Sequence, residues 1–235
     1  MHKKYILCIV FFAFFLTSTF AKTHSPFYPD AGSWNTFSCS YALNKKFAIL
    51  FTEELRIKEN YSRLNLFYTN LGFEYKFNSH FKTSLVYRWV DKYMEYDQFS
   101  FRHRLMWDAT VKQEYKKITF SYRHRLQTEI RNVQTSDAGA IPEWYSRNKF
   151  EISYDISKRI SPYYATEFRY QFHDPRNVES DRTWHRIRYQ AGIDYKLTKS
   201  SKAGIYYLIQ HEYNVKAAEN LYITGLEYSI SLKRN

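Results

Sequence analysis

Apolar and polar residues alternate along most of this chain, which is the pattern of β-strands with two different faces. The segment SYRHRLQTEIR, Ser121 to Arg131, shows it plainly: every second residue is polar or charged, and most of those between are apolar. In a soluble β-protein the apolar face would point into a core, whereas in a membrane barrel it would meet lipid. One strand does not decide between them, because the alternation is the same in both.

Eleven segments alternate in this way, and most of them contain 10 to 15 residues. An ordinary globular strand has about five or six residues, whereas a tilted strand needs about 9 to 11 to cross a bilayer. This length favours the membrane barrel. The predicted strands are Trp34–Leu43, Phe47–Ile57, Leu64–Phe77, Phe81–Val90, Phe99–Lys112, Ile118–Arg131, Tyr145–Ile156, Tyr163–Phe172, Trp184–Leu197, Ala203–Tyr213 and Leu221–Leu232.

The connections between these strands alternate between short and long. Short turns are NSH, QEYKK, SKRIS and TKSS, whereas KENYS, DKYMEYDQ, NVQTSDAGAIPEW, HDPRNVESDR and NVKAAEN are longer and more polar. Outer-membrane barrels combine short periplasmic turns with longer outer loops in this way. We therefore predict an all-β fold: a single antiparallel up-and-down transmembrane β-barrel of about 10–12 strands with a charged lumen.

The strand count is open at the N-terminal side. With the short turns in the periplasm, ten strands run from Phe47 to Leu232, and Trp34–Leu43 makes an eleventh. Bacterial barrels have even strand numbers. Either Trp34–Leu43 is a leading segment that folds against the barrel, or a twelfth strand lies near Phe27–Trp34.

The N-terminus has the layout of a secretory signal peptide. Lys3 and Lys4 precede an apolar stretch from Tyr5 to Leu16, and small residues precede a cleavage point after Ala21. The apolar stretch is shorter than the roughly 20 residues of a membrane-spanning helix. We predict a cleaved signal peptide at 1–21, an N-terminal lead segment at 22–33 and a barrel at 34–235, exported to the Gram-negative outer membrane.

Composition agrees with an exported barrel. Aromatic residues make up 20% of the chain, with 23 Tyr and 19 Phe, yet the mean hydropathy is −0.60. Tyr and Trp suit the boundary between lipid and headgroups. The net charge of +12 points to acidic lipid headgroups, lipopolysaccharide and small anionic solutes rather than nucleic acid, which an exported chain seldom meets. Barrel-insertion machinery is a further expected partner.

The polar face of the alternation carries most of the charge, and in a membrane barrel this face lines the lumen. Arginine outnumbers acid, so we expect a salt-bridge network with a residual positive potential. The predicted lumen residues are Glu54, Arg56, Arg88, Arg102, Arg104, Asp108, Arg123, Arg125, Glu129, Arg131, Arg147, Lys149, Glu151, Glu167, Arg169, Arg186 and Arg188, with Asp155 and Asp194 on the same face. His103, His124 and His185 fall on the opposite, lipid-facing parity.

Several stretches resemble a family of small secreted proteins, common in Bacteroidota, that is catalogued as a domain of unknown function and regarded as an outer-membrane β-barrel. The resemblance covers nearly the whole chain after the signal peptide, and it implies the fold and the location without an activity. The stretches are EELR (53–56), YTNLGFEYKF (68–77), FRHRLMWD (101–108), YRHRLQ (122–127), RNKFEISYDI (147–156), PYYATEFRYQF (162–172), RIRYQAGIDYKL (186–197) and LYITGLEYSISL (221–232).

Three functions remain open from the sequence. The first is a structural barrel or narrow pore whose Arg-rich lumen favours anions, either open or plugged by its own ion pairs. The second is an outer-membrane enzyme acting on lipid or peptide, for which His173 with Asp174 and His211 with Glu212 are the candidate pairs; we expect no enzyme. The third is a soluble, lipocalin-like periplasmic barrel with reversed faces. No metal or cofactor is expected, because no His or Cys cluster has ligand spacing.

Overall fold

Eleven strands form one closed barrel in the computed structural model, which describes residues 28–94, 98–131, 140–175, 181–215 and 218–233. The all-β barrel of 10–12 strands predicted from the alternation is confirmed. The strands are β1 (Tyr28–Ala42), β2 (Phe47–Lys58), β3 (Arg63–Lys76), β4 (Phe81–Tyr93), β5 (Phe99–Tyr115), β6 (Ile118–Ile130), β7 (Glu143–Tyr154), β8 (Ile160–His173), β9 (Thr183–Lys196), β10 (Ser201–Glu212) and β11 (Glu219–Lys233).

The barrel closes by a parallel pair between its first and last strands, so it is not antiparallel throughout. β1 pairs with β11 from Tyr28 opposite Glu219 to Ala42 opposite Lys233, while every other neighbouring pair is antiparallel. An odd number of up-and-down strands leaves the first and last running in the same direction, so they close in parallel. β1 begins six residues before the predicted Trp34 and occupies much of the predicted lead segment. Among the described residues it is a full wall strand, with no twelfth strand beside it.

Four turns at one end of the barrel are stabilised by the same type of side-chain-to-backbone hydrogen bond. In each, a polar side chain after an apolar residue accepts hydrogen bonds from two backbone N–H groups further along the turn, as Asn44 Oδ1 does from Lys46 and Phe47 at 2.8 and 2.9 Å. Such side chains hold a tight turn without glycine. The capping residues are Asn44, Asn78, Ser157 and Thr198.

The connections at the other end are mostly longer, as predicted, with one exception. The β2–β3 connection has four residues, in which Glu59, Asn60 and Tyr61 all have positive φ. The carboxylate of Asp30 on β1 accepts hydrogen bonds from the backbone N–H groups of Glu59 and Asn60, both at 3.0 Å. This contact stabilises the strained backbone of the connection. The connection is therefore short, although it was predicted among the longer loops.

Apolar and aromatic side chains cover the outside of the barrel. Leu71 and Phe73 on β3 are 54% and 61% exposed, and Leu85, Trp107 and Leu226 lie outward in the same way. Apolar surface of this extent is unfavourable in water and suits lipid. The faces are thus the reverse of those that the soluble lipocalin-like alternative requires. No helix among the described residues is long and apolar enough to cross a membrane.

Two register shifts interrupt the pairing at one place in the wall. The β7–β8 ladder shifts between Trp144 and Tyr145, and the β8–β9 ladder shifts between Arg169 and Tyr170. A bulge adds one residue to a strand and re-aims the side chains beside it. His185 therefore lies inside the barrel, 4% exposed, and the prediction that it faces lipid is wrong.

Candidate functional site

Charged side chains from β2 to β11 line the interior, Glu74 on β3 among them, and the predicted lumen residues share this inward face. Arg131 directly follows β6 and pairs with Glu129 and Glu143. Asp194 also lies inward and pairs with Lys202. Asp155 is different, because β7 ends at Tyr154 and leaves it in the following turn.

Four arginines on four neighbouring strands face one another in a single row of the lumen wall. Arg125 on β6 lies opposite Arg147 on β7, which lies opposite Arg169 on β8, which lies opposite Arg186 on β9. We call these four residues the arginine row. Like charges that face each other directly across strands are destabilising, with Cβ atoms only about 5 Å apart.

Three members of the arginine row have a carboxylate partner. Arg125 donates from Nε and Nη2 to the two oxygens of Asp108 at 2.6 and 2.7 Å. Arg186 pairs with Glu212, which faces it from β10. Arg147 donates to Glu167 at 2.6 Å.

Arg169 differs from the other three arginines of the row. Its guanidinium lies over the ring of Tyr145, 3.6 Å from the ring centroid. No carboxylate of the described residues is within ion-pairing distance of it. The row therefore contains one guanidinium that is held by an aromatic ring and not neutralised by an acid.

Glu167, two residues before Arg169 on β8, contacts three guanidinium groups. Arg123, Arg147 and Arg188 approach its two oxygens at 2.8, 2.6 and 3.2 Å. The Glu167 side chain is 9% exposed, so water screens these contacts little. One carboxylate among three guanidiniums leaves a cluster with excess positive charge.

A second acidic centre lies towards the end with the longer loops. Glu129 is contacted by Arg104 at 2.5 Å, by Arg102 at 3.2 Å and by Arg131 at 3.7 Å. Arg131 also reaches the buried Glu143 at 2.7 Å. The upper lumen thus repeats the pattern of several arginines around few acids.

Aromatic rings of the lumen support two further arginines. Arg56 lies 3.7 Å from the ring centroid of Trp34, and Arg88 lies 3.5 Å from that of Tyr68. Arg56 also pairs with Glu54 at 2.5 Å. Stacking on a ring fixes the direction of a guanidinium without removing its charge.

A cavity of about 180 Å³ remains between these side chains in the lumen. Seven cationic and three acidic side chains line it, together with aromatic and small residues. The cationic ones are Arg56, Arg88, Arg123, Arg125, Arg147, Lys149 and Arg188, and the acidic ones are Glu54, Glu167 and Glu227. A space of this size and charge would hold a small anion.

The two ends of the barrel also differ in charge. The connections at the short-turn end, 43–46, 77–80, 116–117, 155–159 and 197–200, contain seven lysines and arginines and one acid. The connections at the other end contain four basic and seven acidic residues. The positive short-turn end would raise the local concentration of anions at that mouth.

The histidine–acid pairs considered from the sequence are not joined in the structure. His173 Nδ1 lies 3.1 Å from Asp181, not beside Asp174. His211 bonds Asn220 at 2.7 Å, while Glu212 points to the opposite face and pairs with Arg186. Within the described ranges no group of three or more His, Cys, Asp or Glu residues could hold a metal ion.

Some residues of the lumen were not predicted from the sequence. Glu212 and Glu227 continue the inward parity of β10 and β11, and following that parity to the chain end would have found them. Trp34, Tyr68 and Tyr145 are buried inside the barrel, although tyrosine and tryptophan were expected at the boundary between lipid and headgroups. Their inward parity is readable from the sequence, but the arginine stacking that explains them is not.

Comparison with known proteins defines the family. Residues 31–221 match the model of the family described as "Protein of unknown function (DUF2490)". The chain belongs to this family. No curated protein matches the chain.

A solved structure described as "NanC porin structure in rhombohedral crystal form" is similar to this chain, with 12% sequence identity and a TM-score of 0.49. The similarity covers 77% of this chain and 86% of that one.

Proposed function

We propose that this DUF2490 chain is an outer-membrane β-barrel that acts as a narrow pore with a preference for small anions. The observation that carries the proposal is the arginine row, in which four facing strands each place a guanidinium in the lumen. The outer-membrane location, the cleaved signal peptide, an origin in Bacteroidota and contact with lipid, lipopolysaccharide and insertion machinery are parts of the same proposal.

Three features support an anion preference. The cavity has more cations than acids in its lining, and the short-turn end is positively charged. Rings of Arg or Lys select anions in pores. Arg88 and Arg169 are also held in place by aromatic rings and not by acids, so their charges remain available to a passing anion.

Single-channel recording in planar bilayers tests the proposal directly. The purified protein is inserted into a neutral lipid bilayer with a KCl gradient, and the reversal potential gives the ratio of chloride to potassium permeability. We expect stepwise conductance with chloride favoured. Steps that favour potassium would contradict the anion preference, and a folded barrel without steps would mean that the ion pairs plug the lumen and the role is structural.

Arg123→Glu is the variant that the geometry favours for the same recording. Arg123 lines the cavity, and its partner Glu167 keeps Arg147 and Arg188, so the barrel retains its main contacts. The change alters the lumen charge by two units, and we expect the preference for chloride to fall or reverse. Arg159→Glu, which makes the same change in an exposed turn at the mouth and not in the cavity, is the comparison variant and should lower the preference for chloride less than Arg123→Glu does.

A second function is an enzyme acting on lipid or peptide. The His173–Asp181 contact at the end with the longer loops is the one His–carboxylate pair among the described residues. It favours the enzyme less than the lumen favours a pore, because among the described residues the ring of His173 contacts only Asp181 and no nucleophile. Activity against lipid or peptide substrates that is lost in His173→Ala would establish it.

A further inference from the structure

Two adjacent bulges build a small polar site in the upper lumen, and this site has donors that the protein itself leaves unused. The ladder shifts at Trp144/Tyr145 and at Arg169/Tyr170 lie on either side of β8. Bulges concentrate beside functional sites because they turn selected side chains towards a ligand. Here they bring Tyr145, Arg169, His185 and Arg186 together.

The ring of Tyr145 organises the site. Arg169 lies over it at 3.6 Å, and the imidazole of His185 lies beside it with ring centroids 6.1 Å apart. Arg186 faces Arg169 across the β8–β9 ladder and follows His185 directly in the chain. Tyr145 is 2% exposed and His185 is 4% exposed, so both are fixed by packing.

Three nitrogen atoms of this site are buried without a hydrogen-bond partner. They are Nε of Arg169, Nδ1 of His185 and Nε of Arg186. Buried polar groups are normally satisfied, and each such atom calls for an explanation. Arg186 has its carboxylate partner Glu212 and the nearby Glu143 pairs with Arg131, whereas Arg169 has only the tyrosine ring, so Tyr145, Arg169, His185 and Arg186 carry more donors than their partners satisfy.

We propose that Tyr145, Arg169, His185 and Arg186 form a binding site for a small oxyanion, a carboxylate or a phosphate. A planar guanidinium donates two parallel hydrogen bonds to two oxygens of such a group, and a spherical halide receives them less well. An imidazole N–H supplies a third donor from the side. The inference rests on the proposed anion pore, because it makes this site a stopping point for anions inside the lumen.

A binding measurement that does not need conductance tests the site. The purified protein in neutral detergent is unfolded thermally in sodium chloride, sodium acetate or sodium phosphate at equal ionic strength and pH, and the unfolding midpoint is followed against anion concentration. An anion that binds the folded state raises the midpoint by mass action. We expect acetate or phosphate to raise it above the chloride series, and whichever acts more strongly identifies the carboxylate or the phosphate as the preferred group.

Two variants and one control assign the effect to the site. Arg169→Met should weaken the apparent affinity about tenfold or more, because it removes a charge-assisted pair of hydrogen bonds. His185→Phe keeps the ring beside Tyr145 and removes the donor, so it reports on the site if Arg169→Met does not fold. Lys202→Met removes one lumen charge away from the site, beside Asp194, and should respond as wild type does.

The outcomes separate this site from the pore. No difference between the oxyanions and chloride in wild type overturns the site, and so does an unchanged oxyanion response in both variants. Oxyanion binding that depends on Arg169 in a protein without conductance supports the site and overturns the pore. Anion-selective conductance in a protein that gives no oxyanion response supports the pore alone.

Discussion

Glu53 and Glu54 are neighbours on β2, yet one faces out of the barrel and the other faces in. Glu54 is 6% exposed, and its two oxygens accept hydrogen bonds from Arg56 at 2.5 Å and from Thr36 at 2.8 Å. Glu53 accepts one hydrogen bond, from Thr69 on the outer face of β3 at 3.1 Å. The same side chain thus meets a charged interior on one side of the wall and an apolar surface on the other.

The difference shows that the two faces of the wall meet different environments, a charged interior and an apolar exterior. Inside, carboxylates such as Glu54 and Glu167 compensate arginines that would otherwise be buried without a counter-charge. Outside, Glu53 has Phe51 and Leu55 as its outward neighbours along β2 and faces Phe37 on β1. A carboxylate in such a band weakens the insertion of the barrel into lipid, and Glu53 is therefore one position where this barrel departs from an apolar exterior.

The largest expected effect comes from removing the acid that serves three arginines. Glu167→Leu leaves Arg123, Arg147 and Arg188 without their shared carboxylate, and we expect the free energy of unfolding to fall by about 5 kcal/mol. Equilibrium unfolding by urea in phospholipid vesicles measures it. Glu151→Leu is the matched control, because Glu151 is more exposed and pairs with a single lysine, Lys149. Equal losses in both variants would contradict the three-arginine cluster.

The neighbouring pair on β2 gives the sharpest test of the comparison, because the expected signs are opposite. Glu54→Leu should lower the free energy of unfolding by about 3 kcal/mol, since it leaves Arg56 without its carboxylate partner. Glu53→Leu should raise it by about 1 kcal/mol, since it removes a carboxylate from the apolar exterior. Both are measured in the same vesicles. Losses in both variants would mean that Glu53 has a structural partner beyond Thr69.

Much of this arrangement could be predicted from the sequence. A period of two fixes which residues share a face, and once the strand lengths favour a membrane barrel, the charged parity, as in Arg123 and Arg125, is the one that lines the lumen. The closure could not be predicted in the same way. Pairing of Tyr28 with Glu219 joins segments about 190 positions apart, and no local pattern specifies it.

The site formed by Tyr145, Arg169, His185 and Arg186 could not be predicted from the sequence for a different reason. Parity counting fails at a bulge, so His185 was counted outward although it lies inward. The turn caps are the opposite case. Each capping residue follows an apolar residue at the end of a strand, and this turn signal can be recognised in the sequence although only the loop lengths were compared. The capping residues are Asn44, Asn78, Ser157 and Thr198.

A smaller effect is expected where the wall closes. A Cβ atom on Gly225 of β11 would lie 1.9 Å from the ring of Tyr206, which packs in the buried cluster with Trp34, Leu208 and Ile223. Gly225→Ala should therefore lower the free energy of unfolding by about 2 kcal/mol through displacement of that ring. Gly204→Ala is the control, because its closest neighbour is the end of the Asp194 side chain at 2.8 Å and all others lie beyond 3.5 Å. Similar stability of the two variants would show that Tyr206 moves without cost.

The smallest effect on stability is expected for the labelling of Cys39, which reports directly on the face of the wall where a side chain lies. Cys39 lies on the outward parity of β1 between Phe51 of β2 and Ile230 of β11, whereas the adjacent Ser38 lies inward between Thr52 and Ser229. In vesicles, a lipid-soluble maleimide should modify Cys39 and a charged, water-soluble maleimide should not, as followed by mass spectrometry. The double variant Ser38→Cys/Cys39→Ser moves the thiol by one residue onto the lumen face, so its preference should shift towards the water-soluble reagent. The same reagent preference in both proteins would mean that the wall does not separate lipid from water at this depth, and the assignment of faces along β1 would then be wrong.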